Sequence, residues 1–338
     1  MLTERRAQVL RLIVSDYIET ATPVGSEQIV KRHALEISPA TIRNEMARLE
    51  EEGYISHPHT SAGRVPSDLG YRYFVEMLMG EPNVSSDEQR RILHQFHQST
   101  AQLSEWLQLA ASVLAQTLNN MAVVSGPRSS QARLKQLQLV SLHDHSALLV
   151  VVLQEIKVRQ QHLSFAEAAT QDDLNRLARQ LSQEFAGKGA GAIRAAAAEL
   201  SGLEQQIALA VAEIVQAEDG DAFPDPHLDG IRNVLSQPEF ARSERMLDIL
   251  EALDGRNISR TIPQTDVKSD DVVVIIGTEN RENIMRDCSL VIGRYGEVDG
   301  PGGTIAVVGP TRLPYSRAIA TVRYVGSLMS GLLSQAYE

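Results

Sequence analysis

The sequence predicts an α+β protein of several domains: a small helical head, then an antiparallel sheet with helices on one side, interrupted by a mainly helical segment. Three observations carry this. Apolar residues recur every three to four positions across residues 3–52, and they gather into short β-branched stretches across 122–158 and again across 272–308. Between those stretches lies an alanine-rich region opened by Gly187-Lys188-Gly189-Ala190-Gly191. A chain of 338 residues, 43% of them apolar, is long enough for two or three cores.

The head is the most informative part. From Thr3, a plausible cap, Val9, Leu10, Ile13, Val14 and Tyr17 keep helical spacing to about residue 19. After Thr22-Pro23-Val24-Gly25, Ser26 is placed to cap a short second helix that turns Ile29 and Val30 inward and ends near His33. The third helix is expected from about Pro39 to Glu52. Ser38 caps it, Pro39 suits a first turn where no amide donor is lost, and Gly53 takes the left-handed stop. Ile42, Met46 and Leu49 form its inward stripe and leave Ala40, Thr41, Arg43, Asn44 and Arg48 outside. Arg pairs a guanine edge, Asn an adenine edge, and small residues permit close approach, so this face suits a DNA groove. An ordinary capped surface helix gives the same pattern, and the neighbours decide. Tyr54-Ile55-Ser56-His57 reads as a strand and Gly63-Arg64-Val65-Pro66 as its return. Helix, turn, helix and flap together make a winged helix-turn-helix, with the third helix reading the major groove.

The candidate DNA-binding residues are therefore Ser38, Ala40, Thr41, Arg43, Asn44 and Arg48 on the third helix, Lys31 before it, and His57, Thr60, Ser61, Arg64 and Arg72 on and after the flap. Thr41, Arg43 and Asn44 are assigned to bases, and Lys31, Arg48, Arg64 and Arg72 to phosphate. His57-Pro58-His59 lacks the cysteines or carboxylates of a metal site, so none is expected.

Charge limits this assignment. The whole chain carries −11, yet residues 1–75 hold nine Lys or Arg against ten Asp or Glu and are nearly neutral. Affinity must come from well-placed contacts, presented twice, and not from bulk attraction. No apolar run approaches a membrane span and the N-terminus opens an amphipathic segment, which points to a cytoplasmic protein without membrane contact. The single cysteine, Cys288, excludes an internal disulfide and reads as a small buried residue.

Ser61-Ala62-Gly63-Arg64-Val65-Pro66-Ser67-Asp68-Leu69-Gly70-Tyr71-Arg72-Tyr73-Phe74-Val75 resembles the signature of the HrcA family of bacterial heat-inducible transcription repressors. Thr22-Pro23-Val24-Gly25-Ser26 and Ser38-Pro39-Ala40-Thr41-Ile42-Arg43-Asn44-Glu45-Met46 are similar to its other N-terminal motifs. Further on, Gly277-Thr278-Glu279-Asn280, Asp287-Cys288-Ser289-Leu290-Val291 and Val308-Gly309-Pro310-Thr311-Arg312-Leu313-Pro314-Tyr315 resemble its C-terminal half, although Leu313 stands where the family more often has Met and Pro314 is less usual. The resemblance is strongest across 22–75 and 274–325. It implies a homodimeric repressor on double-stranded DNA carrying an inverted-repeat (CIRCE-type) operator ahead of chaperone operons. It further implies a GroEL-type chaperonin that keeps the repressor competent until heat-damaged clients divert it, a GAF-like domain, and an inserted dimerisation domain.

The remaining chain is read in that frame. Residues 1–78 form the head, 79–100 a linker and the start of a long helix, 101–187 the first part of the GAF-like domain, 188–242 the insert, and 243–338 the second part. A hinge is expected at 83–87 and one helical stretch from 85 to 121, with Leu103, Leu107, Ala110, Leu114 and Leu118 near heptad spacing; own-domain packing and a dimer seam both produce that stripe. Trp106 beside it reads as core. Strands are expected at 122–125, 134–141, 147–153, 272–277, 288–293 and 304–308. The 147–153 strand runs on through Ile156 and Val158, a short strand follows at 162–165, and helices are expected at 174–185 and 315–336. His143-Asp144-His145-Ser146 reads as a hairpin turn and not a catalytic relay, because adjacent residues there point apart.

Gly293-Arg294-Tyr295-Gly296 with Gly300-Pro301-Gly302-Gly303 suits either an anion nest or a glycine-rich turn. The nest would make the chain a winged-helix regulator fused to a nucleotide-using domain, in the manner of biotin-ligase-type repressors. Pro301 removes a donor and no Lys-Ser or Lys-Thr follows, which favours the turn, a protein without cofactor and no enzyme activity. Glu279, Asn280, Arg281 and Arg312 either line a GAF-type pocket or satisfy helix ends and a salt bridge, and the structural role is preferred.

Overall fold

The computed structural model of the chain describes residues 2–58, 63–80, 83–99, 102–127, 132–154, 158–220, 226–240, 250–251, 257–263, 271–296 and 301–337. Its internal contacts divide it into two compact units, Met1–Gly126 with Asp225–Gly296 and Gly303–Glu338, and Pro127–Pro224 with Glu297–Gly302.

In the first unit, helix α1 (Glu4–Thr20) starts at the Thr3 cap and buries Val9, Leu10, Ile13 and Val14. Helix α2 (Ser26–Arg32) begins one residue away from the expected cap. Gly25 holds the extended boundary position, and Ser26 already lies in the first turn with its side chain buried. Helix α3 (Pro39–Glu51) follows the sequence closely: Ser38 Oγ accepts the Thr41 amide, Ile42, Met46 and Leu49 are buried, and Gly53 stops the chain at φ +81°. Strands β1 (Ile55–Ser56) and β2 (Val65–Pro66) pair antiparallel, Ile55 opposite Pro66. Helix α4 (Asp68–Tyr73) is capped by Ser67, whose hydroxyl accepts the Gly70 amide and donates to the Gly53 carbonyl, so α4 and the end of α3 are joined through one side chain.

The single helix expected over 85–121 is two. Helix α5 (Ser86–Gln98) closes where the Ser99 amide and hydroxyl both donate back to the Phe96 carbonyl, and α6 (Leu103–Leu118) starts afresh after an extended Gln102. The start of α5 at the Ser85 cap falls inside the expected 83–87 hinge. The α6 stripe of Leu107, Ala110, Leu114 and Leu118 packs into the core of its own unit together with Trp106. Strand β3 (Met121–Val124) is buried along its whole length.

The second unit holds β4 (Leu134–His143), β5 (Ser146–Leu153) and β6 (Val158–Ser164) in an antiparallel sheet of that order, with α7 (Gln171–Phe185), α8 (Ala190–Ala197) and α9 (Gly202–Gly220). Leu139, Leu149, Val151, Leu174, Leu181, Phe185, Ile193 and Val211 share one core. This corrects the sequence on two points. The expected common sheet is two sheets, and the boundary at 187/188 cuts through a core that spans residues 132–215. The reason is that every second residue of β5 is fully buried and the intervening Leu148, Val150 and Val152 are apolar too, so nothing in the strand says which helices cover it. The 147–153 strand does not run on to Val158: β5 ends at Leu153, Val158 opens β6, which takes in most of the short strand expected at 162–165, and Ile156 lies outside the described residues.

Back in the first unit come β7 (His227–Asp229), which the sequence does not announce, α10 (Ile231–Leu235), β8 (Val272–Ile276), β9 (Cys288–Gly296), β10 (Gly302–Pro310) and α11 (Tyr315–Tyr337). The five-stranded sheet runs β7-β3-β10-β9-β8, with Ile305 opposite Val124. Helices α6 and α11 pack on it and touch each other, and the inward residues of α1 and α3 belong to the same core. Among the described residues no helix is long and apolar enough to cross a membrane.

Two cores predict two separable stabilities. Phe185→Ala should remove about 3–5 kcal/mol from the second unit, seen as lost amide-exchange protection in β4, β5 and α7. Protection in β3, β9 and β10 should stay at the wild-type level; equal loss in both units would show a single cooperative core.

Candidate nucleic-acid interface

The outward face of α3 presents Ala40, Arg43, Asn44 and Arg48 to solvent, with Thr41 half-buried at its start and bonded through Oγ1 to Ser38 Oγ at 2.9 Å. Lys31 is exposed near the end of α2. The side chains of Lys31, Arg43 and Asn44 make no hydrogen bond or ion pair with other described residues, and their polar ends are ready for an external partner. Arg48 is held loosely by Glu51 at 2.9 Å, both side chains well exposed.

Behind this face, the turn is fixed by a buried acid that sequence periodicity alone does not mark. Asp16 accepts from His33 Nε2 at 2.9 Å and pairs with Arg32 at 3.4 Å, which ties the end of α2 to α1. The available signal was a carboxylate set between Ile13 and Tyr17 on the inward side of α1.

On the flap, Arg64 Nη2 meets Glu50 Oε2 at 3.0 Å, and His57 Nδ1 bonds the other Glu50 oxygen. The Arg64 backbone exchanges two hydrogen bonds with Val24, stapling β2 to the turn before α2. His59, Thr60 and Ser61 lie outside the described residues. No group of three His, Cys, Asp or Glu among the described residues is arranged to hold a metal ion.

Arg72 is not where the sequence puts it. Its Nε donates to Glu279 Oε1 at 2.8 Å and its Nη2 to the Val274 carbonyl at 2.8 Å, so the guanidinium faces the five-stranded sheet and not an open surface. One turn earlier on α4, Asp68 accepts the Thr278 amide and hydroxyl at 2.8 and 2.7 Å. Gly277 makes room for this: at φ +51° a side chain is strained, and a Cβ would stand 2.3 Å from the Asp68 carboxylate. The Arg72 pKa is raised further by the Glu279 hydrogen bond.

Beside this clasp, Tyr71 packs on Tyr315 with ring centroids 5.8 Å apart. The Tyr315 hydroxyl donates to the Thr311 carbonyl and accepts from Ser289, whereas the buried Tyr71 hydroxyl has no partner among the described residues. Burial pushes both phenols above their ordinary range.

The remaining candidates resolve as structure. Asn280 donates to the carbonyls of Gly277, Met285 and Cys288, Arg312 pairs with Glu239 at 2.5 Å, and Arg281 is exposed. Gly293 and Gly303 sit in strands where a Cβ would meet Val322 at 2.6 Å and the Tyr295 ring at 2.4 Å, so close packing accounts for them without an anion. Asp144 and His145 form the β4–β5 turn.

The family model described as HrcA protein C terminal domain matches residues 104–319, well over half the chain. A heat-inducible transcription repressor HrcA of Roseiflexus castenholzii (strain DSM 13941 / HLO8) is 42% identical over 344 residues, covering 99% of this chain and 96% of the relative. The chain belongs to the HrcA family. HrcA relatives of the same description from Chloroflexus aggregans (strain MD-66 / DSM 9485), 42% identical over 355 residues with 100% and 94% covered, and Dehalococcoides mccartyi (strain ATCC BAA-2266 / KCTC 15142 / 195), 38% identical over 337 residues with 100% and 97% covered, include the head as well. A crystal structure of a hypothetical protein at 2.2 Å shares the α+β fold at a TM-score of 0.59 and 22% identity, covering 99% of this chain and 98% of the other.

Two outcomes follow for this HrcA member. Arg72→Glu should destabilise the first unit by about 1 kcal/mol, a modest figure because both partners are partly exposed. Arg72→Glu with Glu279→Arg should recover most of the loss in a denaturant titration; no recovery would show that the pair is not coupled. Raised phenol pKa values also set a sign at high pH. Above about pH 10 the unfolded tyrosines release protons that folded Tyr71 and Tyr315 keep, so stability falls as pH rises. Tyr71→Phe should reduce that alkaline loss and cost nothing at neutral pH, since no hydrogen bond is broken. Thermal unfolding at pH 7 and pH 10.5 measures both.

Proposed function

We propose that the chain is a homodimeric repressor of heat-shock chaperone operons that binds an inverted-repeat, CIRCE-type operator. On this reading, residues 1–78 are a winged helix-turn-helix with α3 in the major groove and the β1–β2 flap as the wing. The five-stranded sheet with α6 and α11 is the GAF-like domain, and the second unit is the inserted dimerisation domain, entered near residue 127 in place of 188. A two-fold protein requires a two-fold site, which the inverted repeat supplies.

The observation that carries the reading is the exposed pair Arg43 and Asn44, unpartnered among the described residues, on a capped helix beside an antiparallel flap, in a chain of the HrcA family. Arg43 and Asn44 take base edges, with Thr41 beside them and Ala40 allowing close approach. Lys31 and Arg48 take phosphates, Ser38 offers its helix end, His57 and Arg64 line the wing, and Thr60 and Ser61 are kept as DNA contacts from their sequence; Arg72 is withdrawn from the phosphate set by its bonds to Glu279 and Val274. Release on heating is read as diversion of a GroEL-type chaperonin that otherwise keeps the repressor competent, in keeping with the heat-inducible description of the relatives.

Mobility shifts on an inverted-repeat duplex at several salt concentrations, with and without chaperonin, test the whole reading. Arg43→Ala should cost about 1–3 kcal/mol on the operator and relax base preference. Lys31→Ala should weaken operator and shuffled DNA alike and lower the salt slope by about one. Unchanged discrimination in Arg43→Ala would remove it from base reading, and absence of specific retardation under every condition would defeat the repressor assignment.

A further inference from the structure

We propose that Glu50 is a specificity-determining residue, an internal stand-in for a DNA phosphate that keeps Arg64 and His57 occupied until the recognition helix is seated on its operator. The inference rests on the assignment of the head as a DNA reader.

Glu50 stands seven residues after Arg43, two helical turns along the same outward side of α3, where the helix meets the flap. Its two oxygens bind the two flap side chains that face it, Arg64 at 3.0 Å and His57. The side chain keeps 31% of its surface exposed, so the pair is reachable from outside. The Arg64 guanidinium is also under-satisfied, because its Nε is buried without a partner among the described residues. A swing of Arg64 toward a phosphate, with its several acceptor oxygens, would release that nitrogen as well as form a charge-assisted pair.

The same arrangement recurs along the end of α3. Glu45 and Glu52 hold Arg6, and Glu51 holds Arg48, whereas Lys31 and Arg43 have no acid partner among the described residues. The cations at the end of α3 and on the flap are thus neutralised from within, while Arg43 on the base-reading face is not. On arbitrary DNA nothing offsets breaking the Glu50 pair, and its carboxylate repels the backbone. On the operator, base contacts from Arg43 and Asn44 hold α3 in place, and a fixed phosphate can replace Glu50. The acid therefore lowers affinity for the wrong sequence more than for the right one.

Glu50→Gln keeps the shape and a hydrogen-bond acceptor but removes the charge. Mobility shifts on an inverted-repeat duplex and on a shuffled duplex of equal length should show shuffled DNA bound about tenfold tighter, operator less than threefold tighter, and a shuffled-DNA salt slope steeper by about one to two. Glu50→Gln with Arg64→Gln should return shuffled-DNA affinity to near the wild-type value. A Glu50 that only braced the flap would instead lower the melting temperature and weaken both duplexes together, and an unchanged operator-to-shuffled ratio would equally overturn the proposal. Those results leave the DNA-reading assignment standing. If wild-type protein fails to retard the operator duplex, both fall.

Discussion

Asp68 and Arg72, one turn apart on α4, grip the turn after β8, and the position of the head depends on this contact. Each bond is directional: a carboxylate over an amide and a hydroxyl, and a guanidinium fork on a carboxylate and a carbonyl. Glu279, which receives Arg72, also accepts the Ile276 amide at 2.8 Å, so the receiving turn is braced before the head arrives. Through Ser67, α4 is joined to the Gly53 stop of α3. The helix that would read DNA is thus linked to the five-stranded sheet by a short chain of hydrogen bonds, over a shared apolar core and without a free tether. Any pairing of two first units would then fix two recognition helices at a defined separation, as recognition of an inverted repeat requires.

Arg72 also shows how a site residue is misread. In sequence it lies on a helix directly after the flap, in the motif with the most specific resemblance, and is a reasonable phosphate ligand. Its partner stands 207 residues away, beyond the reach of any local pattern. Glu50 was missed for the opposite reason. A run of three acids at a helix end looks like a solvated face, and only the folded flap brings Arg64 and His57 onto it. What was legible in the head was what local chemistry decides: the Thr3 and Ser38 caps, the Ile42-Met46-Leu49 stripe, the Gly53 stop and the outward Arg43 and Asn44.

Farther along the chain, the same division holds between local and non-local information. The strands of both sheets were located to within one or two residues at most ends, because β-branched runs between turn residues have few other uses. Their assignment to two sheets was not visible, since only nine residues separate Val124 of β3 from Leu134 of β4 and no local pattern marks the break. The three-residue β7 could not be seen at all. It is too short for periodicity, and it exists because Val123 of β3 offers Leu228 an open edge.

The charge distribution gives the fold its functional logic. The chain carries −11 overall, and within the head most arginines are tied to acids, whereas Lys31 and Arg43, close to the proposed reading face, have no acid partner among the described residues. On the proposed assignment, Lys31 and Arg48 on phosphates would give a salt slope of only about −2 for a single head and about −4 for a pair. A lone head would therefore release DNA readily at physiological salt. A dimer holding two heads on one body would make the second contact intramolecular, so affinity would rise steeply only where both half-sites are present at the right spacing. On the proposed reading, sparse charge and rigid mounting would serve one end: the protein would gain little from DNA in general, and retention would depend on a sequence that satisfies both helices at once.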